Sequence, residues 1–287
     1  ETTDSILHMF YRYLDKGHPA LRPGQNGLSA EVIRDLFRRM DGLVGRVAAR
    51  LGPQDLLVIM SDHGFKSFRR GVNLNSWLYR NGYLALKDGR LQSEEWFKDV
   101  DWTRTKAYAL GLGGLYVNMR DRESQGVVAG GEETRRLKDE LIGRLQGLKD
   151  EARGETAITR VYDRDALPSG PYKENSPDLL IGYNIGYRAS WDSVTGKVSD
   201  IVFEDNTKAW SGDHCIDPVH VPGVFFSNFK INTRTPSIMD IAPTVLSLFG
   251  LAVPGHMDGR PLVEALEDKP VPSSTPTKPG LQNKRSS

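Results

Sequence analysis

Three short Asp/His groupings in this sequence carry side chains suited to holding a divalent cation. Asp62 and His63 sit side by side after the apolar run DLLVIM and Ser61, with Gly64 next, a residue that permits a backbone turn most others resist. Asp4 and His8 have a spacing of four, which puts them one turn apart on one face if the segment is helical. The third grouping, Gly212-Asp213-His214, lies between an irregular stretch and a Pro-rich turn. Carboxylate and imidazole both suit zinc and similar borderline metals. Each grouping also has an ordinary structural reading: Asp62 capping a turn with His63 packed beside it, Asp4 capping a helix above a half-buried His8, Asp213 and His214 in a solvated loop. No pair decides the matter by itself.

Other chemistry-bearing residues are weaker signals. Lys66, Arg69 and Arg70 follow the SDHGF segment and could hold a phosphate or form a solvated basic face. Tyr183, Tyr187 and Trp191 could line a leaving-group pocket or serve ordinary packing. His18, His220 and His256 read as structural or surface residues. Cys215 adjoins His214, but no base partner for a thiol nucleophile is evident, so inert burial is expected.

The elements that must position these residues are legible from periodicity. Residues 29–51 read as an amphipathic helix with Ser29 as N-cap, a stripe of Val32, Leu36, Met40, Leu43 and Val47, and Gly52-Pro53 as its stop. DLLVIM has the continuous apolar character of a strand buried on both faces. Helix, break and strand make an α/β unit, and open parallel sheets gather ligands at the C-terminal ends of their strands. A short helix capped by Asn73 is expected over 73–80. KAYALG and LYVNM read as two strand-like segments separated by Gly111 to Gly114, and residues 132–148 as a helix with a Leu137, Leu141, Leu145, Leu148 stripe. Further strands are expected at AITRVY, DLLIGY and VPGVFF. The last helix, SIMDIAPTVLSLFG, has Ser237 as cap, Gly250 as stop, and Pro243 as either a kink or the mark of a late start. From about residue 268 the composition turns to Pro, Ser, Thr and Lys, so 268–287 reads as a disordered tail.

Composition bounds the partners. With 287 residues, 38% hydrophobic and 26% charged, the chain has a globular balance able to bury a core. A net charge of +1 gives no electrostatic case for nucleic acid or an anionic membrane, so attraction for a phosphorylated substrate must be local. The single cysteine excludes an intrachain disulfide and leaves the compartment open. No apolar run reaches the roughly 20 residues of a membrane span. The opening ETTDSILHMF has neither the basic start nor the apolar core of a signal peptide and begins without Met, so a fragment or processed chain is expected.

Taken together, the order D-x3-H, apolar strand then S-D-H-G-F, and G-D-H before a strand resembles the type I phosphodiesterase/nucleotide pyrophosphatase branch of the alkaline phosphatase superfamily. TTDSILHMFYRYLD resembles that family's segment bearing a metal-binding Asp and His. SGDHCIDPVHVPGVFFSN and SIMDIAPTVLSLFGLAVPGHMDGRPL resemble its C-terminal signature. The resemblance implies an α/β fold: an alkaline-phosphatase-like, mostly parallel sheet sandwiched by helices, with the N-terminal strands and nucleophile segment missing. Residues 1–267 would be the C-terminal part of the catalytic domain, with approximately 85–205 a cap or insertion. It further implies two divalent metal ions. Asp4, His8 and His214 would hold one, and Asp62 and His63 the other together with an upstream Asp. Zinc is favoured; manganese or iron would be tolerated. A Thr or Ser nucleophile, also upstream in the family's order and absent here, would attack phosphorus, and water would release the covalent intermediate. Lys66 and Arg69 are the candidate substrate-binding residues, and Asp213 a candidate for orienting His214. The implied substrate is small and phosphorylated, a nucleotide or another phosphodiester. The alternatives are an inactive truncated fragment or metal-binding module, and a phosphomonoesterase or phosphoglycerate mutase relative.

Overall fold

Local sequence dictates the helices, and the antiparallel hairpins follow from the turns between strands. The computed structural model describes residues 2–22, 28–168, 170–231, 233 and 235–263. In chain order the elements are α1 (Thr2–Phe10), α2 (Leu28–Ala48), β1 (Val58–Met60), β2 (Lys66–Val72), α3 (Leu74–Arg80), β3 (Ala107–Leu110) and β4 (Gly114–Val117). There follow α4 (Glu132–Leu145), β5 (Lys149–Asp150), β6 (Glu155–Thr156), β7 (Ile158–Asp163), β8 (Leu179–Tyr183) and β9 (Gly186–Ala189). The last are α5 (Trp191–Val194), β10 (Phe203–Asp205), β11 (Gly212–Asp213), β12 (Phe225–Ser227) and α6 (Ile241–Leu248).

The chain divides into two units, Glu1–Gly52 with Ser61–Val224, and Pro53–Met60 with Phe225–Ser287. In the first unit β2 is the hub: it pairs antiparallel with β10 and β11 and parallel with β9. A second sheet, ordered β3-β4-β8-β7, carries much of the core. Leu137, Leu141 and Leu145 of α4 bury there with Leu115, Ile158 and Leu179, as the helical period requires. Leu148 falls just beyond that helix. The Asn73 side chain accepts from the Ser76 amide and starts α3. The two expected strands, β3 and β4, pair antiparallel, Ala107 opposite Val117 through Leu110 opposite Gly114.

In the second unit β1 pairs with β12, Val58 opposite Ser227 through Met60 opposite Phe225. Ser237 and Asp240 form a capping box over a 3-10 turn, and α6 begins only at Ile241, so Pro243 marks a late start. Gly250, at φ +68°, ends it.

Three expectations need correction. The described residues do not form a mostly parallel sheet: every pairing between the strands named above is antiparallel except β2 with β9. DLLVIM is not a strand buried on both faces. Only its last three residues pair, with β12, and Val58 and Met60 are exposed. The stripe of α2 is also rotated. Ala30, Ile33 and Leu36 are buried, while Val32, Leu43 and Val47 are exposed, because among the described residues the helix is packed along its N-terminal half. The side chain of Ser29 and the 268–287 tail lie outside the described residues.

Candidate metal centre

α1 presents Asp4 and His8 on one face, as the spacing of four requires, with His8 Nε2 3.6 Å from Asp4 Oδ1. The end of α1 is bound to the strand that precedes His214. The Ser211 amide donates to the His8 carbonyl at 2.7 Å, and the Arg12 amide donates to Ser211 Oγ at 3.1 Å. Gly212 makes this approach feasible, since a Cβ there would lie 2.6 Å from the Leu7 carbonyl oxygen and from Tyr11 Cβ. β11 then pairs with the start of β2, Asp213 opposite Lys66, which carries His214 to the segment holding Asp62 and His63.

The outcome is one compact donor set: ligand atoms of Asp4, His8 and His214 all lie within 4.8 Å of one another. His214 Nε2 is 3.6 Å from the same Asp4 oxygen that faces His8. Separations of that size exceed a hydrogen bond but approach the roughly 3.4 Å subtended by two metal bonds of about 2.0–2.2 Å meeting at a tetrahedral angle. The tautomer fits as well. His8 Nδ1 lies 2.7 Å from the Gly212 carbonyl oxygen, which can only accept, so Nδ1 carries the proton and Nε2 keeps its lone pair. His8 is only 4% exposed, so few waters compete for that lone pair.

Asp62 and His63 adjoin this set without joining it. His63 Nε2 is 3.7 Å from Asp62 Oδ1, and His63 Nδ1 donates to the Gly64 carbonyl at 3.0 Å. The His63 ring stacks on that of His214, centroids 3.6 Å apart. Asp62 and His63 therefore offer a second pair of donors beside the first three.

Asp213 does not touch the His214 imidazole. It is buried, and its Oδ1 accepts from the amides of His214 and Cys215, each at 2.8 Å, so it shapes the backbone that presents the histidine. Its Oδ2 meets the Arg188 guanidinium at 2.7 Å and accepts from Trp210 Nε1 at 2.9 Å. Burial alone would raise this carboxyl; the Arg188 charge and the Cys215 and Trp210 donors outweigh it and hold the carboxyl below its ordinary range. Burial lowers the His214 imidazole, and the neighbouring His63 lowers it further, so the free base persists below the usual histidine range. Cys215 is pushed up to about 12, first by burial and then by Asp213, which suits an inert thiol.

A family model of type I phosphodiesterase / nucleotide pyrophosphatase matches residues 1–214, a span that takes in all five Asp and His donors and ends on His214. The chain belongs to the type I phosphodiesterase/nucleotide pyrophosphatase family. This sets it on that branch of the alkaline phosphatase superfamily and implies hydrolysis of phosphodiesters. No curated protein matches the chain.

Other residues of this family member fall elsewhere. Arg69 is held by Asp15 through two 2.6 Å hydrogen bonds, and Asp15 also accepts from Ser67 Oγ. Lys66 is half-buried and has no side-chain hydrogen bond or ion pair among the described residues. Tyr183 and Tyr187 belong to the hydrophobic core, where sheet packing claims them. His18 is structural, donating from Nε2 to the Phe68 carbonyl at 2.7 Å. Phe65 and Trp210 were not singled out by sequence reasoning. The Phe65 ring meets His8 and His214 edge-on, and Trp210 stacks on His8 with centroids 3.8 Å apart. The only trace of either was an aromatic within a few residues of a candidate ligand.

Proposed function

We propose that this family member is a metal-dependent phosphodiesterase of the nucleotide pyrophosphatase type in which Asp4, His8 and His214 hold one divalent cation and Asp62 and His63 contribute to a second. The observation that carries the reading is the convergence of the first three donors within 4.8 Å, from segments at opposite ends of the family match. Zinc suits two imidazoles and a carboxylate; manganese or iron would be tolerated. Bound cations would neutralise charge on a phosphoryl group and lower the pKa of a bound hydroxyl or water.

The protein residues do the rest. Gly212 and Gly64 carbonyls accept from the Nδ1–H groups of His8 and His63, so in each neutral ring Nε2 is the nitrogen that offers a lone pair. Phe65 and Trp210 cover the His8 ring and exclude water from it. Lys66, without a side-chain partner among the described residues, is a cation available to a substrate phosphate, whereas Arg69 reaches one only by giving up Asp15. The Thr or Ser nucleophile of the family lies before Asp4 in the family's order, and residues from about 85 to 205 would form a cap or insertion.

The deciding experiment uses a form of the protein that carries the family's nucleophile segment ahead of Asp4, and assays a chromogenic phosphodiester and the matching monoester with and without a chelator. Diester turnover abolished by the chelator and restored by zinc is expected. Turnover indifferent to the chelator, or confined to the monoester, would overturn the reading. Zinc bound with no turnover would favour a metal-binding module.

A further inference from the structure

The two histidines of the donor set come from opposite ends of the matched span, and a single side chain touches the support of both. Trp210 stacks its ring on His8, centroids 3.8 Å apart and planes 26° apart. Its Nε1–H donates to Asp213 Oδ2 at 2.9 Å, and the other oxygen of Asp213 holds the amides of His214 and Cys215. We propose that Trp210 is a positioning residue for the Asp4–His8–His214 centre, fixing the plane of one imidazole through its ring and the backbone of the other through its N–H. The inference rests on the reading that these three residues hold a cation.

The geometry gives Trp210 work that its neighbours do not duplicate. The hydrogen bond from His8 Nδ1 to the Gly212 carbonyl fixes one axis of the ring but leaves rotation about that axis. Phe65 meets the ring edge-on at 4.8 Å, 73° between planes, and Trp210 covers a face, so the two together set the plane in which the Nε2 lone pair points. On the other arm, Arg188 supplies the charge that Asp213 needs when buried, its Nε 2.7 Å from Oδ2. The indole N–H donates a hydrogen bond to that oxygen and restrains the turn of the carboxylate, hence the amide bonds on Oδ1. Trp210 is itself held: its carbonyl accepts from Asn206 Nδ2 at 2.7 Å, and Trp191 packs edge-on against its ring. Groups behind metal ligands commonly contribute 10–100-fold to metal affinity.

The test compares Trp210→Phe and Trp210→Leu with the unsubstituted protein and with Trp77→Phe, a buried indole of α3 packed on Tyr83. Zinc affinity is measured by competition with a chromophoric chelator, ligand geometry by the visible spectrum of the cobalt-loaded protein, and folding by circular dichroism. Trp210→Leu is expected to weaken zinc about 10–100-fold and to alter the cobalt spectrum. Trp210→Phe keeps the stack and loses the N–H, so an intermediate weakening is expected. Trp77→Phe should lower the unfolding temperature and leave affinity and spectrum unchanged. A folded Trp210→Leu with unaltered affinity and spectrum would overturn the proposal, as would an equal loss in Trp77→Phe. If Trp210→Leu does not fold, unaltered affinity in Trp210→Phe overturns it. Failure of the unsubstituted protein to take up zinc or cobalt would instead overturn the metal reading on which the proposal rests.

Discussion

His63 and His214 lie face to face, ring centroids 3.6 Å apart and planes 16° apart. The stack joins the Asp62–His63 pair to the Asp4–His8–His214 set, so the two groups of donors share one wall. Two imidazolium ions could not sit this way without repulsion, and His63 contributes, after burial, to holding His214 in its free-base form.

The consequences of removing each ring differ. His214→Ala deletes one of three donors and is expected to reduce bound zinc more than tenfold, with turnover falling in parallel. His63→Ala should reduce turnover while zinc on the Asp4–His8–His214 set remains. Metal per chain, by elemental analysis after dialysis against a weak chelator, separates the two. Unchanged zinc in His214→Ala would remove that residue from the ligand set.

Gly212 is where α1 and β11 come closest. A methyl group there would meet the Leu7 carbonyl oxygen at 2.6 Å, which backbone cannot yield without moving α1. Gly212→Ala should therefore lower stability by about 1–3 kcal/mol and weaken zinc, because the displaced helix carries Asp4 and His8. Urea unfolding and a zinc titration read the two effects. Unaltered zinc affinity with lowered stability would show that the centre tolerates movement of α1.

Lys66 and Arg69 lie three residues apart on β2 but are committed differently. Arg69 forms a bidentate pair with Asp15. Arg69→Ala is expected to lower stability on the order of 1 kcal/mol and leave KM for a diester unchanged, since it strips a donor pair from a mostly buried carboxylate. Lys66→Ala should raise KM several-fold with kcat and stability little changed, the pattern of lost uniform binding. A raised KM in Arg69→Ala alone would reverse the assignment.

These contrasts show what the sequence made legible. The Asp4–His8 face follows from helical period, a local property, and the caps at Asn73 and Ser237 likewise need only their neighbours. The addition of His214 came from the order of motifs along the chain, not from spacing. Commitments set by distant pairing were hidden. Asp15 claims Arg69 across 54 positions, and Trp210 reaches His8 only because β11 docks on α1. The α2 stripe and the DLLVIM strand failed for a related reason. Apolar pattern gives a capacity for burial, but Val32, Leu43, Val58 and Met60 stay exposed among the described residues.

Acid should destabilise the protein in two windows, and His18 contributes to the first alongside His214. The His18 ring is buried with both nitrogens engaged as a neutral imidazole: Nε2 donates to the Phe68 carbonyl, and Nδ1 accepts the Ala20 amide at 3.1 Å. Burial lowers its pKa and outweighs the opposing pull of the Phe68 carbonyl and Asp15. Above the ordinary value of 6.5 neither folded nor unfolded chain is protonated there, and stability is at its full value. As pH falls through 6.5 the unfolded chain takes up the proton first, so stability declines until the depressed folded value is reached. Asp15 acts lower. Burial would raise it, but Arg69, Ser67 and the Gly17 amide outweigh that, so its contribution is present above 3.8 and is lost as pH falls through its depressed folded value. Urea midpoints measured with a chelator present, so that metal release does not contribute, should be flat from pH 8 to 7 and fall as pH drops below 6.5. His18→Gln should be less stable at pH 7 and show a shallower fall over that interval. A midpoint that rises on acidification, or a fall equally steep in His18→Gln, would show that His18 does not carry this dependence.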